Sequence, residues 1–225
     1  MAGPSIITND TRFGADVSFD GTISSFPSAS ISNTHISTTA AIATSKMAQR
    51  VLAEYPIESF HWRIHDALQS PLPTTSATDD LGLIIGTFGT NAPYIGTSDL
   101  KAAGATTRYA RALVRLPPNY EAAETVIVRL HAGMITTVAD TSATADIECY
   151  SIGTSATPSS DLCATAAQSI NSLTAADKDF TITATALNPG DLLDIRITLV
   201  VNDAATGTAV IGAVFHAALA CDTRG

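Results

Sequence analysis

Charge is scarce in this chain. Only 15% of its 225 residues are charged, against about a quarter in ordinary soluble domains. Positive charge is scarcer still: 12 Lys and Arg face 21 Asp and Glu, for a net charge of −9. No basic stripe exists, which argues against a nucleic-acid partner and against steering to anionic membranes. Cysteine is limited to Cys149, Cys163 and Cys221. An odd, small number does not make a disulfide framework. The three read as reduced, mostly buried thiols of a protein made in a reducing cytoplasm. Aromatic residues amount to 6%, with a single Trp. That leaves little to line a sugar-cleaving cleft.

Long apolar runs are also missing. Stretches such as Thr208–Ala220 fall short of the roughly 18 residues of a membrane span, and this one contains His216. The first ten residues, MAGPSIITND, carry neither a basic n-region nor an apolar h-region, so no secretory signal is expected. There is no Gly-x-Ser-x-Gly elbow. The glycine-rich stretch Gly82–Gly89 has neither the Lys-Ser/Thr of a phosphate loop nor the dinucleotide fingerprint.

What is present divides into two kinds of sequence. Within residues 1–46, the stretch 15–46 holds its larger apolar residues singly, at Val17, Phe19, Ile23, Phe26, Ile31, Ile36 and Ile42, among short hydroxylic and small ones. Such a segment cannot offset its own ordering entropy. It predicts an extended N-terminal arm whose Phe19, Ile23, Phe26, Ile31, Ile36 and Ile42 fill successive holes on a partner. Main-chain hydrogen bonds to a sheet edge would supply the rest. Residues 47–107 read as a linker with accessory strands or a short helix. Met47, Val51 and Leu52 allow a helix ending near Pro56. Phe60, Trp62 and Ile64 alternate with His61, Arg63 and His65 as in a strand, and Leu83–Ile85 reads as a short buried strand.

Residues 108–225 carry the strongest pattern. Period-2 alternation puts Ala110, Ala112, Val114 and Leu116 on one face of a strand, with Arg111 and Arg115 on the other. The same rule pairs Val126, Val128 and Leu130, then Ala145, Ile147 and Cys149, then Phe180 and Ile182. It finally groups Leu193, Ile195, Ile197, Leu199 and Val201. Asn188-Pro189-Gly190-Asp191 is a turn signal. Asn202, Asp203 and Gly207 suggest a hairpin onto Thr208–Leu219. Cys163–Ile170 suits a strand, a crossing loop or a helix. The whole predicts an all-β antiparallel sandwich, jelly-roll-like, with an extended N-terminal arm.

Two groups of residues carry a resemblance. Ser30-Ile31-Ser32-Asn33-Thr34-His35-Ile36-Ser37, followed by Ala40-Ala41-Ile42-Ala43-Thr44-Ser45-Lys46-Met47, resembles a phrase near the start of tailed-bacteriophage virion and tail-fibre proteins. Met47 stands where that phrase has Leu. In the body, Leu116-Pro-Pro-Asn-Tyr120, Leu187-Asn-Pro-Gly-Asp-Leu192 and Cys221-Asp-Thr-Arg-Gly225 resemble phage-encoded virion β-sandwich proteins. The resemblance implies a virion location on the capsid or tail, after synthesis in the host cytoplasm. It transfers no catalytic residues.

His61, His65 and Asp66 would share a metal on a helix. Strand alternation instead sets the two histidines about 14 Å apart, at about 3.4 Å per residue. Asp79-Asp80, Asp177-x-Asp179 and Asp191-x-x-Asp194 lack the ligand spacing of a calcium loop and read as turn caps. Glu121, Glu124, Asp146 and Glu148 read as surface carboxylates, and Cys149 with His131 as core rather than a dyad. Neither metal nor cofactor is expected. Nine of the twelve basic residues are Arg. Arg108, Arg111, Arg115 and Arg129 are candidate forks for carboxylates on a partner, several of them on one sheet face.

The expectation is a non-enzymatic decoration (cement) protein on a phage capsid surface. Its partner would be the major capsid protein, and it would itself be a dimer or trimer. A tail-fibre or receptor-binding module and a jelly-roll shell protein are the alternatives.

Overall fold

The computed structural model describes residues 50–153, 157–204 and 207–224, all within the unit Ala48–Gly225. The arm residues Phe19, Ile23, Phe26, Ile31, Ile36 and Ile42 lie outside the described residues. The described residues run through ten strands: β1 (Arg50–Ile57), β2 (Gly82–Ile84), β3 (Tyr94–Gly96), β4 (Gly104–Arg115), β5 (Val126–Ile135), β6 (Ser142–Ile152), β7 (Gln168–Ser169), β8 (Ala176–Ile182), β9 (Leu192–Asp203) and β10 (Ile211–Arg224). Among the described residues the one helical element is a 3-10 turn, Ser59–His61.

The strands form two antiparallel sheets. One runs β2-β3-β10-β5-β8, with β1 also paired to β10, and the other runs β4-β9-β6-β7. From β3 onward the chain crosses between the sheets at every step except β6 to β7. The resulting orders, β3-β10-β5-β8 against β4-β9-β6-β7, are those of an eight-stranded jelly roll built from two Greek keys. The expected all-β sandwich is therefore the fold, and β1 and β2 extend its first sheet.

Alternation explains which residues meet in the middle. Val128, Leu130 and Phe180 from the first sheet are fully buried, as are Cys149, Leu193, Ile195, Ile197, Leu199 and Val201 from the second. Strands with one face on such a core and one in water show this period. At Asn188–Asp191 the Asp191 amide donates to the Asn188 carbonyl at 3.1 Å. Gly190 there has φ +84°. Pro at the second position and positive φ at the third make a type II turn.

Four expectations are corrected. Residues 50–57 are a strand, not the end of a helix. The whole segment pairs with β10, Arg50 opposite Arg224 through Ile57 opposite Ala217, and tertiary pairing outweighs weak helical spacing. Phe60–His65 is not a strand. The 3-10 turn rotates Phe60 outward, 71% exposed, while Trp62 is buried at 1%. The short strand at 82–84 leaves Ile85 exposed. No hairpin joins β9 to β10, because the two belong to opposite sheets. Cys163–Ile170 resolves into a bridge from Cys163 to Ile182 and the two-residue β7.

Sheet edges are handled differently. The β4 edge is covered: Arg63 and Arg111 exchange backbone hydrogen bonds, and Leu81 donates to the Tyr109 carbonyl at 2.8 Å. The β1 edge is a strand edge with Val51 and Leu52 about half exposed and Pro56 near its end. Among the described residues no strand pairs with the side of β1 facing away from β10.

Candidate functional site

The outer face of the β4-β9-β6 sheet gathers a dense set of polar side chains. Register builds it. Arg111 on β4 lies opposite Arg196 on β9, and Arg196 lies opposite Glu148 on β6. Two like charges face each other, so each needs a carboxylate. Arg196 Nε donates to Glu148 Oε2 at 2.6 Å. Arg111 reaches diagonally to Asp194: Nε donates to Oδ1 at 2.6 Å, and Nη2 pairs with Oδ2. Asp194 raises the pKa of Arg111 chiefly through these hydrogen bonds.

Rings frame this array. The Arg196 guanidinium stacks 4.8 Å over the Tyr109 ring. His65 lies 4.7 Å from the same ring. The 60–80 loop presents His65 there, with Nδ1 3.4 Å from Asp80 Oδ1 and Nε2 3.6 Å from Asp79 Oδ2. Arg111 Nη1 also donates to the His65 carbonyl at 3.3 Å. His65, Arg111, Tyr150, Pro158, Asp194 and Arg196 line an open hollow of about 260 Å³. Ring faces and charged forks together suit a polar ligand or a partner's side chains.

The four candidate arginines do not share one face. Arg111 alone sits in the hollow. Arg108 has the inward parity of Ala110 and bonds Ser76 Oγ at 3.2 Å and the Thr107 carbonyl at 2.9 Å. Arg115 donates to the Gly190 carbonyl at 2.9 Å, at the end of the sheet. Arg129 belongs to the opposite sheet and grips Asp179 with two hydrogen bonds of 2.7 Å. Those bonds raise its pKa. Alternation along one strand gives the facing of each Arg, but not which strands share a sheet.

The remaining candidates separate. Cys149 points into the core from β6, and burial pushes its thiol up to about 12. His131 lies on the outer face of the other sheet, bonded to Asp177, so the two make no dyad. Glu121 pairs with Arg224 on β10 and Glu124 with Arg50 on β1, whereas Asp146 and Glu148 lie on β6 of the other sheet, so the four carboxylates form no common cleft. Asp191 caps its turn through the Asn188 amide at 2.8 Å. His61 is exposed, and His65 turns to Asp79 and Asp80 rather than Asp66. Sequence reading missed Asp194, Arg196, Tyr109 and Tyr150 as a group. Their outward parity was visible, and their register was not.

No family model and no curated protein matches the chain. Among solved structures, a chain of infectious bursal disease virus, Gt strain, is 14% identical with a TM-score of 0.31, covering 68% of this chain and 42% of that one. A chain of the Gx strain is 13% identical with a TM-score of 0.25, covering 68% of this chain and 40% of that one. The present chain thus spans under half the length of either.

Proposed function

We propose that this protein is a virion structural subunit that decorates and reinforces the capsid shell of a tailed phage, without catalytic activity. The observation that carries the reading is the open β1 edge. It begins a few residues after the N-terminal arm in sequence, and among the described residues no strand pairs with its outer side, beside exposed Val51 and Leu52. Such an edge is a template for adding a strand from another chain. The charge-poor sequence suits a subunit that spends its working life against other protein. Many modest contacts repeated by symmetry give high avidity without one strong site. The jelly-roll architecture is one that virus particles and lectins both use, and the resemblance of residues 30–47 and 116–120 to phage virion proteins points the same way.

A second reading is a shell-forming jelly roll, favoured by the complete strand order β3-β10-β5-β8 over β4-β9-β6-β7. Co-sedimentation separates the two. A decoration protein pellets with preformed, expanded shells and stays soluble alone. A shell protein assembles into particles by itself. Failure to do either rejects both. Substituting Leu52→Lys on the β1 edge is expected to weaken co-sedimentation at least about tenfold while leaving the circular dichroism spectrum unchanged.

A further inference from the structure

We propose that the outer face of the β1-β10-β5-β8 sheet holds a divalent transition-metal site of the Zn²⁺ class, formed by His131, His216 and Asp177. The site stands independently of the capsid reading. It is built by register: Asp177 on β8 lies opposite His131 on β5, and His131 lies opposite His216 on β10. The three form one row across three adjacent strands. The His131 and His216 rings stack at 4.7 Å with 5° between planes. His131 Nδ1 sits 2.7 Å from Asp177 Oδ1. One ligand atom from each residue lies within 4.8 Å of the others. A tetrahedral ion with bonds of about 2.0–2.1 Å holds its donors roughly 3.4 Å apart, so modest rotation of three partly exposed side chains closes the set.

A backbone irregularity makes this row. The register of β10 on β5 shifts between Val214 and His216. Continued without the shift, Phe215 would oppose His131, and His216 would face inward opposite Leu130. The bulge absorbs Phe215 and returns His216 to the outer face beside His131. Bulges re-aim side chains in this way and concentrate near functional sites. Phe215 packs its ring 6.3 Å from His131 and 6.4 Å from Tyr94. That forms an apolar shoulder on one side of the imidazole.

The surroundings favour a cation. Glu54 on β1, Arg129 on β5, and Asp177 and Asp179 on β8 are the charged neighbours. Arg129 is 3.9 Å from Asp177 but spends its fork on Asp179. Three carboxylates against one guanidinium leave the patch negative. Two imidazoles and one carboxylate suit Zn²⁺ and its first-row neighbours, whereas Ca²⁺ and Mg²⁺ take oxygen sets. The fourth position stays open to water or to a donor from a neighbouring chain.

The test is isothermal titration of the full, chelator-treated chain with ZnCl₂, and separately with CaCl₂. The expected result is one Zn²⁺ per chain, no Ca²⁺ binding, and a Zn²⁺ affinity at least about 100-fold lower in both His216→Ala and His131→Gln. Cobalt substitution should give the visible absorption of a tetrahedral His-ligated ion in wild type and not in His216→Ala. Wild-type chain that takes up no Zn²⁺ overturns the proposal. So does unchanged stoichiometry in a folded His131→Gln/His216→Ala double variant, or loss of the site in His65→Ala or Cys163→Ser instead.

Discussion

Removing Asp194 is expected to cost more than removing the charge it neutralises, and the second change should repair the first. Arg111 and Arg196 are directly opposed across β4 and β9. The side chain of Asp194 is 12% exposed and that of Arg111 is 33% exposed, so the pair is partly shielded from solvent. In Asp194→Ala the two guanidinium groups face each other with one carboxylate left, Glu148, on the far side of Arg196. At roughly 6 Å and an effective dielectric of about 40–80, that repulsion is about 0.7–1.4 kcal/mol. Lost charge-assisted hydrogen bonds add about 1 kcal/mol after discounting for partial exposure. The expected cost is therefore about 2 kcal/mol. Arg111→Met keeps the aliphatic stem packed and removes the repulsion, and Asp194 can turn to Arg196; its cost should be about 1 kcal/mol or less. The double variant should be more stable than Asp194→Ala alone by about 1 kcal/mol. Urea unfolding followed by circular dichroism measures all three, with a double-mutant cycle isolating the coupling. A double variant less stable than Asp194→Ala would refute the opposed-arginine argument.

Other outcomes follow from single contacts. Tyr120 is 2% exposed and donates to the Glu124 carbonyl at 2.7 Å. Burial pushes Tyr120 and Cys149 up to about 12 and Cys221 to about 11. Each folded pKa is raised, so this stability is complete below about pH 9 and is lost as pH climbs to 12. Tyr120 alone should lose about 1 kcal/mol of it between pH 8 and 11, and thermal melts at those two pH values read the loss. Phe180→Ala empties a fully buried site and should cost about 3–5 kcal/mol in denaturant unfolding. Gly82→Ala drives a methyl group to 2.7 Å from the Thr75 carbonyl carbon and onto the Ser76 amide, so its melting temperature should fall by several degrees or expression should fail. Thr136 is exposed with φ +76°. Thr136→Gly relieves that strain and should raise stability by up to about 1 kcal/mol.

Strand facing was legible in the sequence; strand partnership was not. The alternations through Val126–Leu130, Ala145–Cys149 and Leu193–Val201 name their buried faces correctly because burial follows a period of two. That period carries no information about neighbours. In a jelly roll most partners are distant: Arg50 meets Arg224, and Gly104 meets Asp203. The misread β9–β10 hairpin and the divided arginine group share this cause. At Phe60–Trp62 the pattern misled because one 3-10 turn rotates alternate positions apart. The hollow around Arg111 and the row through His131 both depend on register, and the second depends also on a bulge that no residue type announces.

The most direct test of the central claim is cryo-electron microscopy of expanded, undecorated phage shells incubated with the purified chain. The account predicts regular jelly-roll density at symmetry-related positions on the shell exterior, with a strand from another chain added along β1. It also predicts that deleting residues 1–46 leaves the sandwich folded and lowers occupancy. Bare shells beside free protein, or full occupancy by the truncated chain, would contradict it.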